Sequence, residues 1–267
     1  MALKYAAITP HPPVMVPDVG GKEGLKPVET TVNSMLALTK EVAEVEPEII
    51  FIITPHGPVD LSAITVRMPE NMELKGSLWQ FGASNVELSY KVPKELCYKI
   101  LEKSAEAGLN VKGVEDETLD HGFLAPMFYI DKAFKKKPQV VSMNMSLGSY
   151  KNHYEFGKIL REIANSLKEK VVFVASGDLS HRLTDDAPGG FNKEGEVFDK
   201  KLVKLLKEKK YEDILLFDPF WVDEAGECGM RTVCTLIGVV EGQKVEQKFY
   251  SYEGPYGVGY LVMGYKF

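Results

Sequence analysis

Three of the five histidines in this 267-residue chain each come shortly after an apolar run rich in β-branched residues. They are His11, His56 and His181. If the runs are parallel strands, their carboxyl ends lie at one sheet edge, where ligands bind in open α/β folds. Pro10 and Pro55 stiffen the backbone that leads into the first two rings, which suits metal ligands that must be held in place. The spacing therefore predicts a shared functional site.

A third metal ligand is expected from the acidic segment 223–231, which precedes an apolar helical pattern. Two histidines and one carboxylate form the facial triad that holds non-haem Fe(II) and leaves positions open for substrate and oxygen. On ligand type, Glu227 is the predicted third ligand. Glu224 is an alternative, and so is Cys228, whose thiolate would shift the preference towards zinc or copper. Spacing along the chain leaves all three open.

The two remaining histidines differ in their surroundings. His121 follows Asp120 just before an apolar stretch, which predicts a helix N-terminus capped by the aspartate. This position suits an active-site acid or base as well as a purely structural role. His153 continues an apolar stripe with Phe156 and Leu160, and is predicted to be a packing residue.

The segments between these residues alternate between strand and helix patterns. Near-continuous apolar runs predict strands buried on both faces of a sheet, at residues 5–9, 49–54, 140–144 and 171–176. Amphipathic helices are predicted between them, at residues 27–46, 93–107 and 150–169. This alternation predicts an α/β fold with a mostly parallel central sheet flanked by helices.

Two regions depart from the alternation. Residues 61–68 and 86–92 are predicted strands on either side of a loop, residues 71–84, and would form a small β insertion. Residues 247–267 predict two strands joined by a Gly/Pro turn, which is a C-terminal antiparallel hairpin. There is no internal repeat or Pro/Ser-rich linker, so a single domain over residues 1–267 is expected.

Composition argues against several classes of protein. A hydrophobic content of 45% with 26% charged residues is typical of globular proteins, and the net charge of −6 argues against a nucleic-acid partner. Three cysteines are too few for a disulfide framework and favour a reducing compartment. The start lacks a signal-peptide core, and no stretch approaches the roughly 20 apolar residues of a membrane span. A cytoplasmic protein without a membrane partner is expected.

Five motifs in this order resemble the class III extradiol dioxygenase superfamily, which includes the catalytic β subunit of protocatechuate 4,5-dioxygenase. The motifs are PHPP at 10–13, TPHG at 54–57, LDHG at 119–122, SGDLSH at 176–181 and EAGECG at 224–229. The sequence is most similar to the stand-alone dioxygenase-like branch that includes the Memo proteins. The resemblance spans essentially the whole chain and implies the fold of that superfamily.

The resemblance also implies a reaction and roles for single residues. It implies a non-haem Fe(II)-dependent enzyme that opens a catecholic ring with O2, with a small aromatic molecule as substrate. His11 and His56 would be iron ligands, with Glu227 as the third. His181 would be the acid/base, and His121 would contact substrate or oxygen.

Two alternatives to the dioxygenase remain open. Memo-like members have a cysteine near the third ligand position, which implies a metal- or ligand-binding protein without dioxygenase activity. A zinc-dependent hydrolase is the other, because the same ligand set can activate water. An edge strand at the C-terminus could support a homodimer. Arg67 and residues 184–191 are expected to line the entrance to the site.

Overall fold

The computed structural model describes residues 2–267, within which ten strands and nine α-helices alternate with short 3-10 turns. The strands are β1 (Leu3–Thr9), β2 (Ile49–Thr54), β3 (Ile64–Arg67), β4 (Glu73–Leu78), β5 (Ala83–Lys91), β6 (Val111–Val114), β7 (Gln139–Asn144), β8 (Val171–Ser176), β9 (Glu246–Glu253) and β10 (Tyr260–Lys266). The helices are α1 (Pro17–Leu25), α2 (Glu29–Val45), α3 (Lys94–Glu106), α4 (His121–Ile130), α5 (Tyr150–Ser166), α6 (Lys193–Lys207), α7 (Tyr211–Leu215), α8 (Pro219–Ala225) and α9 (Met230–Val240).

Eight strands form one mixed sheet in the order β6-β3-β7-β2-β8-β1-β10-β9. The four central strands, β7, β2, β8 and β1, are parallel, and their register places Ala175 of β8 between Ile8 of β1 and Ile53 of β2. Every residue of β2 and β8 is buried, as the continuous apolar runs predict for strands covered on both faces. The predicted α/β class and the four predicted central strands are confirmed.

Two groups of helices pack on this sheet. Helices α2 and α4 contact each other, and α2 also contacts β1 and β10. Helix α9 contacts β1 and β8, and α5 packs against α9. The predicted helices at 27–46, 93–107 and 150–169 correspond to α2, α3 and α5. Among residues 2–267, no helix combines the length and the apolar character that crossing a membrane requires.

The small β insertion differs from its prediction in one strand. The segment at 61–68 contains β3, which pairs with β7 and β6 in the main sheet, and the predicted loop at 71–84 contains β4, so that part of the prediction is wrong. Buried Leu74 and Leu78 are separated by more exposed residues, a pattern that suits a strand with one covered face. Strands β4 and β5 form the insertion as a separate antiparallel hairpin.

The C-terminal hairpin is present as predicted. Strands β9 and β10 are antiparallel, and β10 also pairs antiparallel with β1, so that β9 lies at the edge of the main sheet. Through β10, the end of the chain is built into the sheet beside the strand that leads to His11.

Candidate metal centre

The carboxyl ends of three adjacent central strands bring the histidine loops together. His11 follows β1, His56 follows β2 and His181 follows β8, and these strands are neighbours in the order β2-β8-β1. Helix α4 adds His121 from its first position, with its ring centroid 4.3 Å from that of His56 and 5.6 Å from that of His11. His153 does not join this cluster, since it is fully buried in α5 and bonded to backbone groups of Ser146 and Ser149.

The His11 ring is held with one nitrogen free for a ligand. Its Nδ1 lies 3.0 Å from Ser176 Oγ, and that hydroxyl donates its only proton to the carbonyl oxygen of Gly122 at 2.5 Å. Ser176 must therefore accept a hydrogen bond from Nδ1–H, which leaves a lone pair on Nε2. Such a partner on the second ring nitrogen is the usual arrangement around a metal-binding histidine. The free Nε2 lies 3.1 Å from Nε2 of His56.

The His56 loop is held by the ends of two strands. Thr54 Oγ1 accepts the His56 backbone N–H at 3.0 Å, and the Asn144 side-chain amide donates to the His56 carbonyl. Gly57 follows at a φ of +100°, which an L side chain rarely adopts. A Cβ at Gly122 would lie 3.0 Å from His56 Cδ2, so a glycine there lets α4 begin close to the ring. The loop is thus rigid on both sides of the histidine.

Cys228 completes a group of three donor atoms. Its Sγ lies 3.6 Å from His11 Nε2, and the donor atoms of His11, His56 and Cys228 all lie within 4.8 Å of one another. The backbone N–H of Asp178 donates to the sulfur at 3.4 Å, a contact that favours a thiolate. Cys228 lies just before the start of α9, and the positive N-terminal end of that helix dipole also favours a thiolate.

The two carboxylates considered as third ligands face other partners. Glu227 Oε2 accepts the backbone N–H of Met230 at 2.5 Å and so caps the N-terminus of α9. Glu224 is exposed and accepts a hydrogen bond from the side chain of Asn192 at 2.8 Å. The ligand role expected of Glu227 therefore stays a prediction, whereas the geometry favours its neighbour Cys228.

Asp178 is a site residue that the sequence reasoning missed. Its Oδ1 accepts the backbone N–H of His11 at 2.9 Å, and its Oδ2 lies 3.7 Å from His11 Nε2. Burial raises the pKa of this carboxyl to about 7. The available signal was its place in SGDLSH, directly after β8 and three residues before His181. Asp178 therefore contacts both His11 and Cys228 and links the β8 loop to the donor group.

The histidine rings are held in their neutral form. Burial, followed by the charges of the neighbouring histidines, lowers the pKa of His11 well below its usual range. Burial likewise lowers the pKa values of His56, His121 and His181. Neutral imidazoles keep the lone pairs that a metal requires. Burial also raises the pKa of the Cys228 thiol well above its usual range, so a cation at this site would stabilise the thiolate.

An ion pair below the site positions His121. Asp120 caps α4 by accepting the Gly122 N–H at 2.8 Å, as predicted, and its other oxygen accepts from Arg67 Nη2 at 2.7 Å. The Arg67 side chain is fully buried and also donates to Asp116 at 3.1 Å. The expectation that Arg67 lines the entrance is wrong, because its guanidinium is bound by these carboxylates beneath the His56 and His121 loops.

The loop that carries His181 is fixed from beneath by a buried carboxyl. Asp199 of α6 accepts the Ser180 backbone N–H at 2.9 Å and the Tyr252 hydroxyl at 2.7 Å. The Gly189 N–H donates to the His181 carbonyl at 3.0 Å, which places part of the predicted entrance loop 184–191 directly against the histidine. These contacts leave the His181 ring partly exposed at the sheet edge.

The donor group fits a divalent transition metal. Two imidazole nitrogens and a thiolate are ligands of zinc, copper and iron sites in proteins. Bonds of roughly 2.0–2.3 Å separate neighbouring donor atoms by roughly 3–4 Å, and the Nε2–Nε2 and Sγ–Nε2 separations of 3.1 and 3.6 Å match this spacing. Since His11 presents a lone pair rather than a proton to the group, these three residues could hold a metal ion.

Comparison with known proteins identifies a matching family, a relative similar in sequence over almost its whole length, and a solved structure with a similar fold. The family described as the catalytic LigB subunit of aromatic ring-opening dioxygenase matches residues 5–263. A 3,4-dihydroxyphenylacetate 2,3-dioxygenase from Escherichia coli is 23% identical over 264 residues, which cover 94% of each protein. The solved structure of the uncharacterized protein JW3007 from Escherichia coli K12 covers 98% of this chain and 99% of that one, with a TM-score of 0.59 and 15% identity. At this low identity, the similarity to JW3007 shows a shared fold only.

A further relative is considerably longer than this chain. Protein CA_C1420 of Clostridium acetobutylicum is 39% identical over 272 residues, which cover 98% of this chain and 57% of that protein. This chain therefore spans little more than half of the length of that relative.

Proposed function

This chain belongs to the family of catalytic LigB subunits of aromatic ring-opening dioxygenases, and on that basis we propose that it is a metal-dependent enzyme that opens a catecholic ring with dioxygen. The observation that carries the proposal is the convergence of donor atoms from His11, His56 and Cys228 at the carboxyl edge of the sheet. The dioxygenase from Escherichia coli, which matches almost the full length of the chain, supports the same reaction class.

We propose His11, His56 and Cys228 as the residues that hold the metal, with Fe(II) as the metal. Bound Fe(II) would supply open positions for a catecholate and dioxygen and lower the pKa of the substrate hydroxyl. Ser176 keeps the proton of His11 on Nδ1, and so directs the lone pair of Nε2 to the site. Glu227 remains the alternative third ligand, which would require its carboxylate to leave the N–H of Met230.

His181 and His121 are the proposed proton-handling and substrate-contacting residues. Burial lowers the pKa of His181, so its ring is neutral near pH 7 and can accept a proton from the second substrate hydroxyl. The same ring, once protonated, can return a proton to a developing oxyanion. His121 lies against His56 with a ring separation of 4.3 Å, a position from which it can bond to substrate or oxygen.

The cysteine in the donor group favours a second function. A thiolate with two imidazoles suits zinc or copper as well as iron, whereas a carboxylate would favour Fe(II). A Memo-like protein that binds zinc or copper without dioxygenase activity is therefore the alternative, and Cys228 is the observation that supports it.

Metal content separates the proposed ligands. We expect anaerobically purified protein to hold about one iron per chain, with Cys228→Ala losing most of it and Glu227→Gln keeping it. Glutamine preserves an oxygen that can cap α9, so this variant tests the charge without removing the cap. Loss of metal in Glu227→Gln alone would restore the carboxylate triad and overturn the assignment of Cys228.

Oxygen uptake separates the two functions. Protein with its native metal would be given a panel of substituted catechols, and ring opening would be followed as oxygen consumption together with a new visible absorbance. Turnover that disappears in His181→Gln, with metal content unchanged, would support the dioxygenase. A full complement of zinc or copper and no turnover with any catechol, even after anaerobic reconstitution with Fe(II), would overturn it in favour of the Memo-like function.

A further inference from the structure

The β4–β5 hairpin is anchored to the segment that carries His121. The backbone N–H of Lys75 donates to the Glu117 carbonyl at 2.8 Å, and the Leu119 N–H donates back to the Lys75 carbonyl at 2.8 Å. Leu74 and Leu78 of β4 are buried in the core. The hairpin is thus fixed to Glu117 and Leu119, in the segment that leads into Asp120 and His121, and its tip is held near His121.

The tip of this hairpin carries two aromatic rings that the fold covers only in part. Trp79 is 66% exposed and Phe81 is 38% exposed, although buried leucine anchors lie only a few residues away. The Phe81 ring lies against His121 in an edge arrangement, with centroids 5.4 Å apart and an interplanar angle of 65°. This geometry falls within the range of favourable aromatic pairs.

A row of rings therefore leads from the hairpin tip to the donor atoms. Phe81 contacts His121, His121 lies 4.3 Å from His56, and His56 lies 4.8 Å from His11, all between ring centroids. A planar ligand held beside His56 and His121 would meet the partly exposed face or edge of Phe81 next. Covering that surface would remove apolar area from water and add an aromatic pair.

We infer that Phe81 forms an apolar wall of the substrate site and determines specificity by favouring ligands with a flat ring over ringless chelators. This inference rests on the proposed function, since it requires a ligand bound at the His11–His56–Cys228 donor group. The Phe81 ring would contact the ligand and strengthen its binding, whereas the donor group and His181 would act in the chemical steps of ring opening. The hairpin anchors keep the ring in place before the ligand arrives, which limits the ordering cost of binding.

The test compares two probes on anaerobic, Fe(II)-loaded protein. One probe is 4-nitrocatechol, followed by its visible spectrum, and the other is acetohydroxamic acid, a bidentate chelator without a ring, measured by competition. We expect Phe81→Ala to weaken 4-nitrocatechol binding about tenfold, with acetohydroxamic acid changed less than about twofold. Phe81→Tyr should restore most of the 4-nitrocatechol affinity, because it retains the ring.

Phe249→Ala is the matched control, since Phe249 has nearly the same exposure, 37%, and lies on the edge strand β9. It should leave both affinities unchanged, and metal content and thermal stability are compared across all variants. Equal affinities of wild type and Phe81→Ala for 4-nitrocatechol would overturn the inference alone. Equal weakening of both probes would also overturn it, by assigning Phe81 to the support of His121. A wild-type protein that binds no catechol would remove the proposed function, and the inference with it.

Discussion

Replacement of Arg67 tests whether a buried ion pair supports the site. The Arg67 side chain is fully buried, and its partners Asp116 and Asp120 retain only 28% and 18% of their side-chain exposure. Arg67→Met keeps a long side chain while leaving two partly buried carboxylates without a cation. Removing one partner of a buried pair costs about 3–5 kcal/mol, and the residual exposure of the carboxylates places the expected loss at about 3 kcal/mol.

The expected loss can be measured by equilibrium urea unfolding and by thermal melting. A chain of this size loses about 2–4 °C in Tm for each kcal/mol, so Arg67→Met should melt roughly 6–12 °C below wild type. Because Asp120 caps α4 and leads directly into His121, metal affinity should fall in the same variant. The loss of stability should be smaller in Arg67→Lys, because lysine keeps the positive charge although it cannot make the separate contacts to both carboxylates.

A double-mutant cycle with Asp120→Asn isolates the ion pair from the helix cap. Asparagine can still accept the Gly122 N–H, so the cap at the start of α4 is preserved while the negative charge is removed. We expect the double variant to be more stable than the sum of the single losses predicts, by about 1–3 kcal/mol. Strict additivity, or an Arg67→Met loss under about 1 kcal/mol, would refute the reasoning.

Three further substitutions test other parts of the structure. Ser176→Ala removes the acceptor that fixes the His11 tautomer, and metal affinity measured against a chromophoric chelator should fall about 10–100-fold. Gly57→Ala places a Cβ over Arg67 Nη2 at a φ of +100°, and urea unfolding should show a loss of roughly 2–4 kcal/mol. Burial lowers the pKa of His153 to about 4, below the value of about 6.5 expected in the unfolded chain. The buried neutral histidine therefore contributes its full stabilisation of the folded protein above about pH 6.5, and this contribution is lost as the pH falls through 4. His153→Gln should remove about 3 kcal/mol of this acid destabilisation, measured by urea unfolding at pH 7 and pH 4.

Each of these substitutions has a control or a contrary result. Ser104→Ala alters a buried serine in α3 and should leave metal affinity unchanged. Gly108 has a φ of +72° but open space around a new Cβ, so Gly108→Ala should cost only about 1 kcal/mol of stability. If Gly57→Ala cost no more than Gly108→Ala, the predicted overlap of its Cβ with Arg67 would be wrong. A His153→Gln variant that keeps the wild-type loss of stability in acid would assign that loss to other groups.

The elements of the fold were largely predictable from the chain itself. Continuous apolar runs identified β1, β2, β7 and β8, because strands covered on both faces need apolar residues at every position. The insertion was less predictable. Strand β4 is as long as the central strands, but it is mostly polar and contains a glycine, so its alternation is weak. Strand β3 is four residues long and joins the main sheet only through contacts with distant β7 and β6.

The site divides in the same way between local and tertiary information. That His11, His56 and His181 share one edge followed from the sequence, since parallel strands of one sheet have their carboxyl ends at the same edge. The cap of α4 by Asp120 was also local, because an N-cap bonds to a backbone group two residues away. The ion pair of Arg67 with Asp120 spans 53 residues, and no local pattern indicates it.

The sequence by itself determined the fold class, the edge that carries the site and the residue types available to bind a metal. Only the tertiary structure decided that the sulfur of Cys228 meets His11, while the carboxylate of neighbouring Glu227 turns to the N–H of Met230. Adjacent residues in a loop point in different directions, and their directions depend on where β8 and α9 lie. The backbone N–H of Asp178 donates to the sulfur of Cys228, and the backbone N–H of Met230 donates to the carboxylate of Glu227, because each buried donor needs an acceptor.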